Sequence, residues 1–217
     1  MKKWIGVTTT LLSLLCFTLP AQAEQYRFTY SKLYYQLKVN QKEGHEDVRM
    51  ALFFNDAQTG KACQITKAWM AKEEHYEEFT IPVNQELPLP LDTNLKSANP
   101  LVYIQTEEGK QCDISMEVLA NKTFEKKVSA KELSLLTIQM DAMLSDIGGM
   151  FSKYFMPKVE GVSFVFNDKV TLPIKASDGT SIATKDGKAT IELSAFSDDV
   201  TFSLPAVPLK VIPWLVK

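Results

Sequence analysis

Between Ser129 and Tyr154 the apolar residues leave the alternating pattern of the rest of the chain and take up helical spacing, and this switch limits the possible folds more than any other feature. Ser129-Ala130-Lys131-Glu132 has the form of a capping box. Leu133, Leu136, Met140, Met143, Ile147, Met150 and Tyr154 then follow at steps of three and four. The spacing predicts one helix of about six turns, loosened near Gly148-Gly149 and stopped before Pro157, which cannot sit in a helix interior. Such a stripe has to be covered, so Met140 and Ile147 are expected inside, packed on a sheet.

The segments on either side are written in short strands. Ser31 is positioned to cap a short helix reaching about Asn40, with Leu33, Tyr34 and Leu37 on one face. Val48, Met50, Leu52 and Phe54 alternate, and a turn over Asp56 to Gly60 leads to Ala62 to Trp69, which reads as a β-hairpin. Phe79 to Ile81, Glu86 to Leu91, Leu101 to Gln105 and Cys112 to Leu119 follow as strands, the last two joined as a hairpin through Glu107-Glu108-Gly109-Lys110. After the helix come Val162 to Phe166, Lys169 to Ala176, Ala189 to Leu193 and Val200 to Leu204, with turns at Asp178-Gly179 and Asp186-Gly187. The expected fold is α+β and mostly β. Antiparallel sandwich-like sheets make an N-terminal β-rich part, 24–127, and a C-terminal one, 158–217, with the long amphipathic helix, 128–157, between them. The two β-rich parts form either one domain or two.

Residues 1–23 read as a secretory leader. Lys2 and Lys3 give the basic start, Ile5 to Leu19 the apolar run, and Ala21-Gln22-Ala23 the small residues of a cleavage site that leaves Glu24 first. Lipidation at Cys16 is disfavoured because Leu15 before it is too bulky. The expected location is the periplasm. Removing 23 of 217 residues leaves 194, one large domain or two small ones, with no second run able to cross a bilayer. The net charge of -2 becomes -4 once the two leader lysines are gone, which argues against nucleic acid as a partner. Cys63 and Cys112 remain, and in an exported chain one such pair is expected to form a disulfide closing a loop of 50 residues (112 minus 63 plus 1). The chain-entropy model puts its contribution at about 4 kcal/mol.

Chemistry-bearing residues are few. His45 lies among Glu43, Glu46 and Asp47, and His75 within Glu73-Glu74-His75-Tyr76-Glu77-Glu78. Histidine with carboxylate suits zinc-like ions, so His45, His75, Glu74 and Glu77 are metal candidates, although no fixed ligand spacing is present and a solvated charged loop is the simpler reading. Met140, Met143, Met150 and Met156 have the soft thioethers that select copper(I), but the first three share the helix stripe and read as core filling. If part of that stripe is exposed, Met143, Met150, Phe151 and Tyr154 would form a partner or membrane-surface face. Trp69, Tyr76 and Trp214 offer rings for stacking on a sugar. A Gly-x-Ser-x-Gly elbow and Gly-rich phosphate loops are absent. No catalytic residue and no cofactor is assigned.

Tyr30-Ser31-Lys32-Leu33-Tyr34, Lys42 to Val48, Ala68-Trp69-Met70, Lys72 to Glu77, Ser97 to Val102 and Gly148-Gly149-Met150-Phe151 together resemble an uncharacterised family of exported proteins from Gram-negative bacteria, a domain of unknown function. The resemblance implies export and a shared fold and carries over no catalytic residue. It also implies that the loops of His45 and His75 belong to one surface. Thr184 to Leu193 resembles the Asp-x-x-Gly strand signature of prealbumin-like surface modules. The functional expectation is a non-enzymatic periplasmic protein that binds or scaffolds an envelope protein or glycan. Its rival is a metal-dependent protein or hydrolase using His45, His75 and nearby carboxylates.

Overall fold

The computed structural model describes residues 24–148 and 157–216. The leader and its cleavage site, Cys16, and the candidates Met150, Phe151, Tyr154 and Met156 lie outside the described residues. In chain order the elements are β1 (Gln25–Thr29), α1 (Tyr30–Leu37) with a 3-10 turn (Lys38–Gln41), β2 (Val48–Asp56), β3 (Ile65–Lys72), β4 (His75–Glu78), α2 (Thr93–Ala98), β5 (Leu101–Thr106) and β6 (Cys112–Ala120). Then come β7 (Lys127–Ser129), α3 (Ala130–Gly148), β8 (Lys158–Val165), β9 (Ile174–Ala176), β10 (Ser181–Ile182), β11 (Lys188–Glu192), β12 (Thr201–Ser203) and β13 (Lys210–Val216). The protein is mostly β with some helix, as its patterning predicts.

All strand pairs are antiparallel, in the sheet orders β1-β5-β3-β4, β2-β6, β10-β9-β12-β7 and β11-β8-β13. Neither expected hairpin exists. β2 pairs with β6 along its whole length and β3 with β5, leaving a lone bridge between Asn55 and Ala62 where the first hairpin was expected. Alternation predicts which residues face a core; it does not choose between possible partner strands. β2 shows why: Met50, Leu52 and Phe54 enter the main core, while Ala51 and Phe53 on its other face pack with Leu119 and Ile212. Phe79 to Ile81, Glu86 to Leu91 and Lys169 to Pro173 run as irregular chain.

α3 follows its stripe up to a point. Leu133, Leu136, Met140 and Met143 are buried, and the helix packs on β8, β6 and β2. Met143 is therefore core and no partner surface. Ile147 is 40% exposed, so the stripe leaves the core one turn earlier than expected. Leu135 and Ile138 on the opposite face stand 55% and 65% exposed. The cap is half of the expected box: Ser129 Oγ accepts from Glu132 N at 3.1 Å, but the Glu132 carboxylate turns to Lys122 Nζ at 2.6 Å. At the start of α1, Ser31 is no cap, since the helix already begins at Tyr30 with Thr29 in the cap position; the Ser31 N–H donates to Asn99 Oδ1 at 2.9 Å.

Cys63 and Cys112 are joined, with Cα atoms 6.5 Å apart and both side chains buried. Cys112 opens β6 and Cys63 lies just before β3, so the bridge ties the two-stranded sheet to the sheet β1-β5-β3-β4. No described helix is long and apolar enough to cross a membrane.

Candidate functional site

The two histidines share an acidic setting in sequence and have opposite settings in space. His45 is 2% exposed, which corrects the expectation of a solvated loop. Its Nε2 lies 3.3 Å from Asp146 Oδ2 near the end of α3, and because a carboxylate only accepts, the ring nitrogen is the donor. Lys42 Nζ approaches the other oxygen of Asp146 at 3.0 Å. Asp47 N donates to Gln139 Oε1 at 2.8 Å, and Gln139 Nε2 returns a bond to Asp47 Oδ2 at 2.9 Å. Three residues of one loop thus clasp two residues of α3. The Lys42 ammonium, then the His45 ring, holds the Asp146 carboxyl below its ordinary value.

His75 opens β4, which a two-residue turn, Glu73-Glu74, joins to β3. Glu73 has φ 54°, the left-handed region where a side chain costs about 1–2 kcal/mol, so the hairpin holds this residue against its own preference. In register, Met70 faces Glu77, Ala71 faces Tyr76 and Lys72 faces His75. Side chains alternate along a strand, so Met70, Lys72, His75 and Glu77 look toward α2, and Trp69, Ala71, Tyr76 and Glu78 lie on the other face, with Ala71 and Tyr76 still bordering the space between hairpin and helix.

α2 forms the opposite wall. Asp92 caps it through Oδ1, which accepts from Asn94 N at 2.6 Å and Leu95 N at 3.0 Å. Asn99 ends it in the left-handed region, its N–H bonded to Leu95 O at 2.7 Å. The segment leading in is pinned by the buried Tyr30, whose hydroxyl donates to Pro90 O at 2.6 Å and accepts from Asp92 N at 2.9 Å. Between hairpin and helix lies an open cleft of about 660 Å³, with Met70, Leu95, Ala98 and Pro100 as apolar lining and Glu73, Glu74, His75 and Glu77 at its rim. Lys72 closes one end by donating from Nζ to Ala98 O at 2.7 Å. Among the described residues Glu73, Glu74 and Glu77 form no ion pair, so the rim carries unbalanced negative charge beside apolar surface. Three of the sequence candidates, Glu74, His75 and Glu77, come together here; His45 does not line this cleft.

The outward face of the same hairpin is internally satisfied. Trp69 stacks on Tyr103 with centroids 5.1 Å apart and planes within 8°, and Tyr76 tilts toward Trp69 at 6.4 Å. Lys67 Nζ sits 5.3 Å from the Trp69 ring and 3.3 Å from Glu78 Oε2, to which the Tyr76 hydroxyl also donates at 2.7 Å. The Tyr76 hydroxyl and then Lys67 hold the Glu78 carboxyl below its ordinary value. Trp214 lies on β13 in another sheet, so the trio of rings expected for a sugar is not assembled. Tyr103, the true partner of Trp69, was legible only as an alternating strand residue.

Two half-buried ion pairs lie elsewhere in the fold. Arg49 grips Glu86 through both guanidinium nitrogens, and Lys210 pairs with Glu117 while lying 4.0 Å from the Phe53 ring centroid. No group of three His, Cys, Asp or Glu side chains able to hold a metal ion is found among the described residues.

Residues 22–166 match a family model described as protein of unknown function (DUF2987), and the chain belongs to that family. The matched span takes in the disulfide, the His45 clasp and the β3–β4 hairpin. No curated protein and no solved structure matches the chain.

Proposed function

We propose that this member of the DUF2987 family is an exported, non-enzymatic binding protein of the cell envelope, and that the cleft between the β3–β4 hairpin and α2 is where it takes its partner. The observation that carries the reading is the composition of the cleft, where apolar lining shares one rim with three carboxylates that form no ion pair among the described residues, whereas the more buried Glu86 and Glu117 each have a cationic partner. Surface of this composition is where convergent polar groups beside an apolar floor favour a ligand. Tyr76, 54% exposed beside the cleft, adds a ring of the kind enriched at interfaces.

Export is supported by the leader pattern of residues 1–23 and by the buried Cys63–Cys112 bridge, since such bridges persist in oxidising compartments. Cleavage after Ala23 and a periplasmic location complete the proposal. Mass analysis of the protein from a periplasmic extract is expected to give Glu24 as first residue; a chain retained in the cytoplasm with Met1 intact would remove the export reading.

A photo-reactive residue placed at Tyr76 tests the cleft in living cells. It is expected to yield a discrete cross-linked adduct with an envelope component, while the same residue at the exposed Leu172 yields none. Equal adducts at both positions, or none at Tyr76, would contradict the assignment.

A further inference from the structure

Resting on the cleft as the binding site, we infer that its occupant is an extended basic peptide segment, which adds to the free edge of β4 as a fifth strand and lays alternate side chains into the cleft. In the order β1-β5-β3-β4, β4 has β3 on one side only, and among the described residues no backbone group pairs with its other side. All four of its residues are exposed. An open row of N–H and C=O groups is a template for another strand, and proteins normally blunt it with proline, a bulge or a cover. β13, an edge in its own sheet, is blunted in this way, with Pro213 in its interior and a register shift between Trp214 and Leu215. The β4 edge has neither, and its register with β3 runs unbroken from Trp69↔Glu78 to Lys72↔His75.

What guards the β4 edge is charge, and charge selects. Glu77 on the strand and Glu73 and Glu74 at the turn, which form no ion pair among the described residues, repel a second copy of the same edge and attract a cationic strand. The geometry then says which side chains fit. Side chains of an added strand alternate, and those on the cleft side meet Glu77 with Leu95 and Pro100 beneath. A lysine or arginine satisfies both, its aliphatic stem on the apolar floor and its cationic head at the carboxylates. Main-chain bonds to β4 supply affinity and the cleft supplies preference, as in other strand-addition complexes.

Titration of the purified, oxidised protein with a labelled, end-blocked peptide alternating lysine and valine tests this. The lysine peptide is expected to bind and its glutamate counterpart not to bind. Glu74→Lys combined with Glu77→Lys should weaken binding by about tenfold or more, with the melting temperature of this exposed pair unchanged. Methylating the peptide amides along one edge should abolish binding, because it removes strand pairing while keeping every charge. Equal binding of the methylated or the glutamate peptide would overturn the inference. If no peptide binds yet Tyr76 still cross-links in cells, the peptide inference fails and the cleft stands; if the lysine peptide binds regardless of the charge reversal and Tyr76 gives no adduct, both fail.

Discussion

Lys42 to Asp47 and Lys72 to Glu78 are near relatives in composition, each a lysine-led acidic stretch around one histidine, yet the first is held against a helix and the second stands free at a sheet edge. The difference comes from residues about 100 positions along the chain: Asp146 and Gln139 of α3 meet the first loop with a carboxylate and an amide, whereas α2 meets the second with alanine, leucine and one carbonyl. A charged loop becomes glue where another element offers complementary groups, and surface where none does. The clasp therefore belongs to stability, and the hairpin carries the proposed binding surface.

The largest effect expected bears on the tie between the two regions. The Cys63–Cys112 bridge joins the sheet that carries the hairpin to the strand pair beside the clasp, so replacing both cysteines by Ala should lower the unfolding free energy by about 2–5 kcal/mol in urea melts. Peptide mapping without reductant should recover the bonded pair from native protein. Next comes the helix that the clasp holds. Met140→Ala, deep in the core, should cost about 2–5 kcal/mol, and Ile147→Ala, on the exposed last turn, about 1 kcal/mol or less.

A smaller effect separates the regions by pH. Asp146 is held below its ordinary 3.8 by Lys42 and His45, so its contribution is present above that value and is lost as pH falls through the depressed one. Acid melts of Asp146→Asn should accordingly show a shallower loss of stability below about pH 4 than the parent protein. The smallest effect is at the hairpin, where Glu74→Lys should shift stability by no more than about 0.5 kcal/mol, since the side chain it replaces forms no ion pair.

Local periodicity made much of this molecule legible: the faces of α1 and of α3 as far as Met143, and the strongly alternating strands, were readable from spacing, and the disulfide from the one pair of cysteines outside the leader pattern. Strand partners were not, because β2 and β3 satisfy the same alternation whether they pair with each other or with β6 and β5. β4 went unread because His-Tyr-Glu-Glu has no apolar alternation, its stability coming from Trp69, Lys67 and Tyr103 on neighbouring strands. Of the candidate site, Glu74, His75 and Glu77 were named from local charge, but the cleft needed α2, a six-residue helix too short to leave a periodic signal. Burial of His45 was invisible for the same reason that it is informative, since its partner Asp146 is distant in sequence.

The division of labour between the two charged stretches is tested most directly by comparing urea unfolding of His45→Ala and His75→Ala, each measured against the parent protein at neutral pH. Loss of a buried ring and its bond to Asp146 is expected to cost about 2 kcal/mol, while loss of the exposed His75 should cost no more than about 0.5 kcal/mol. Equal losses, or a larger loss at His75, would contradict the account.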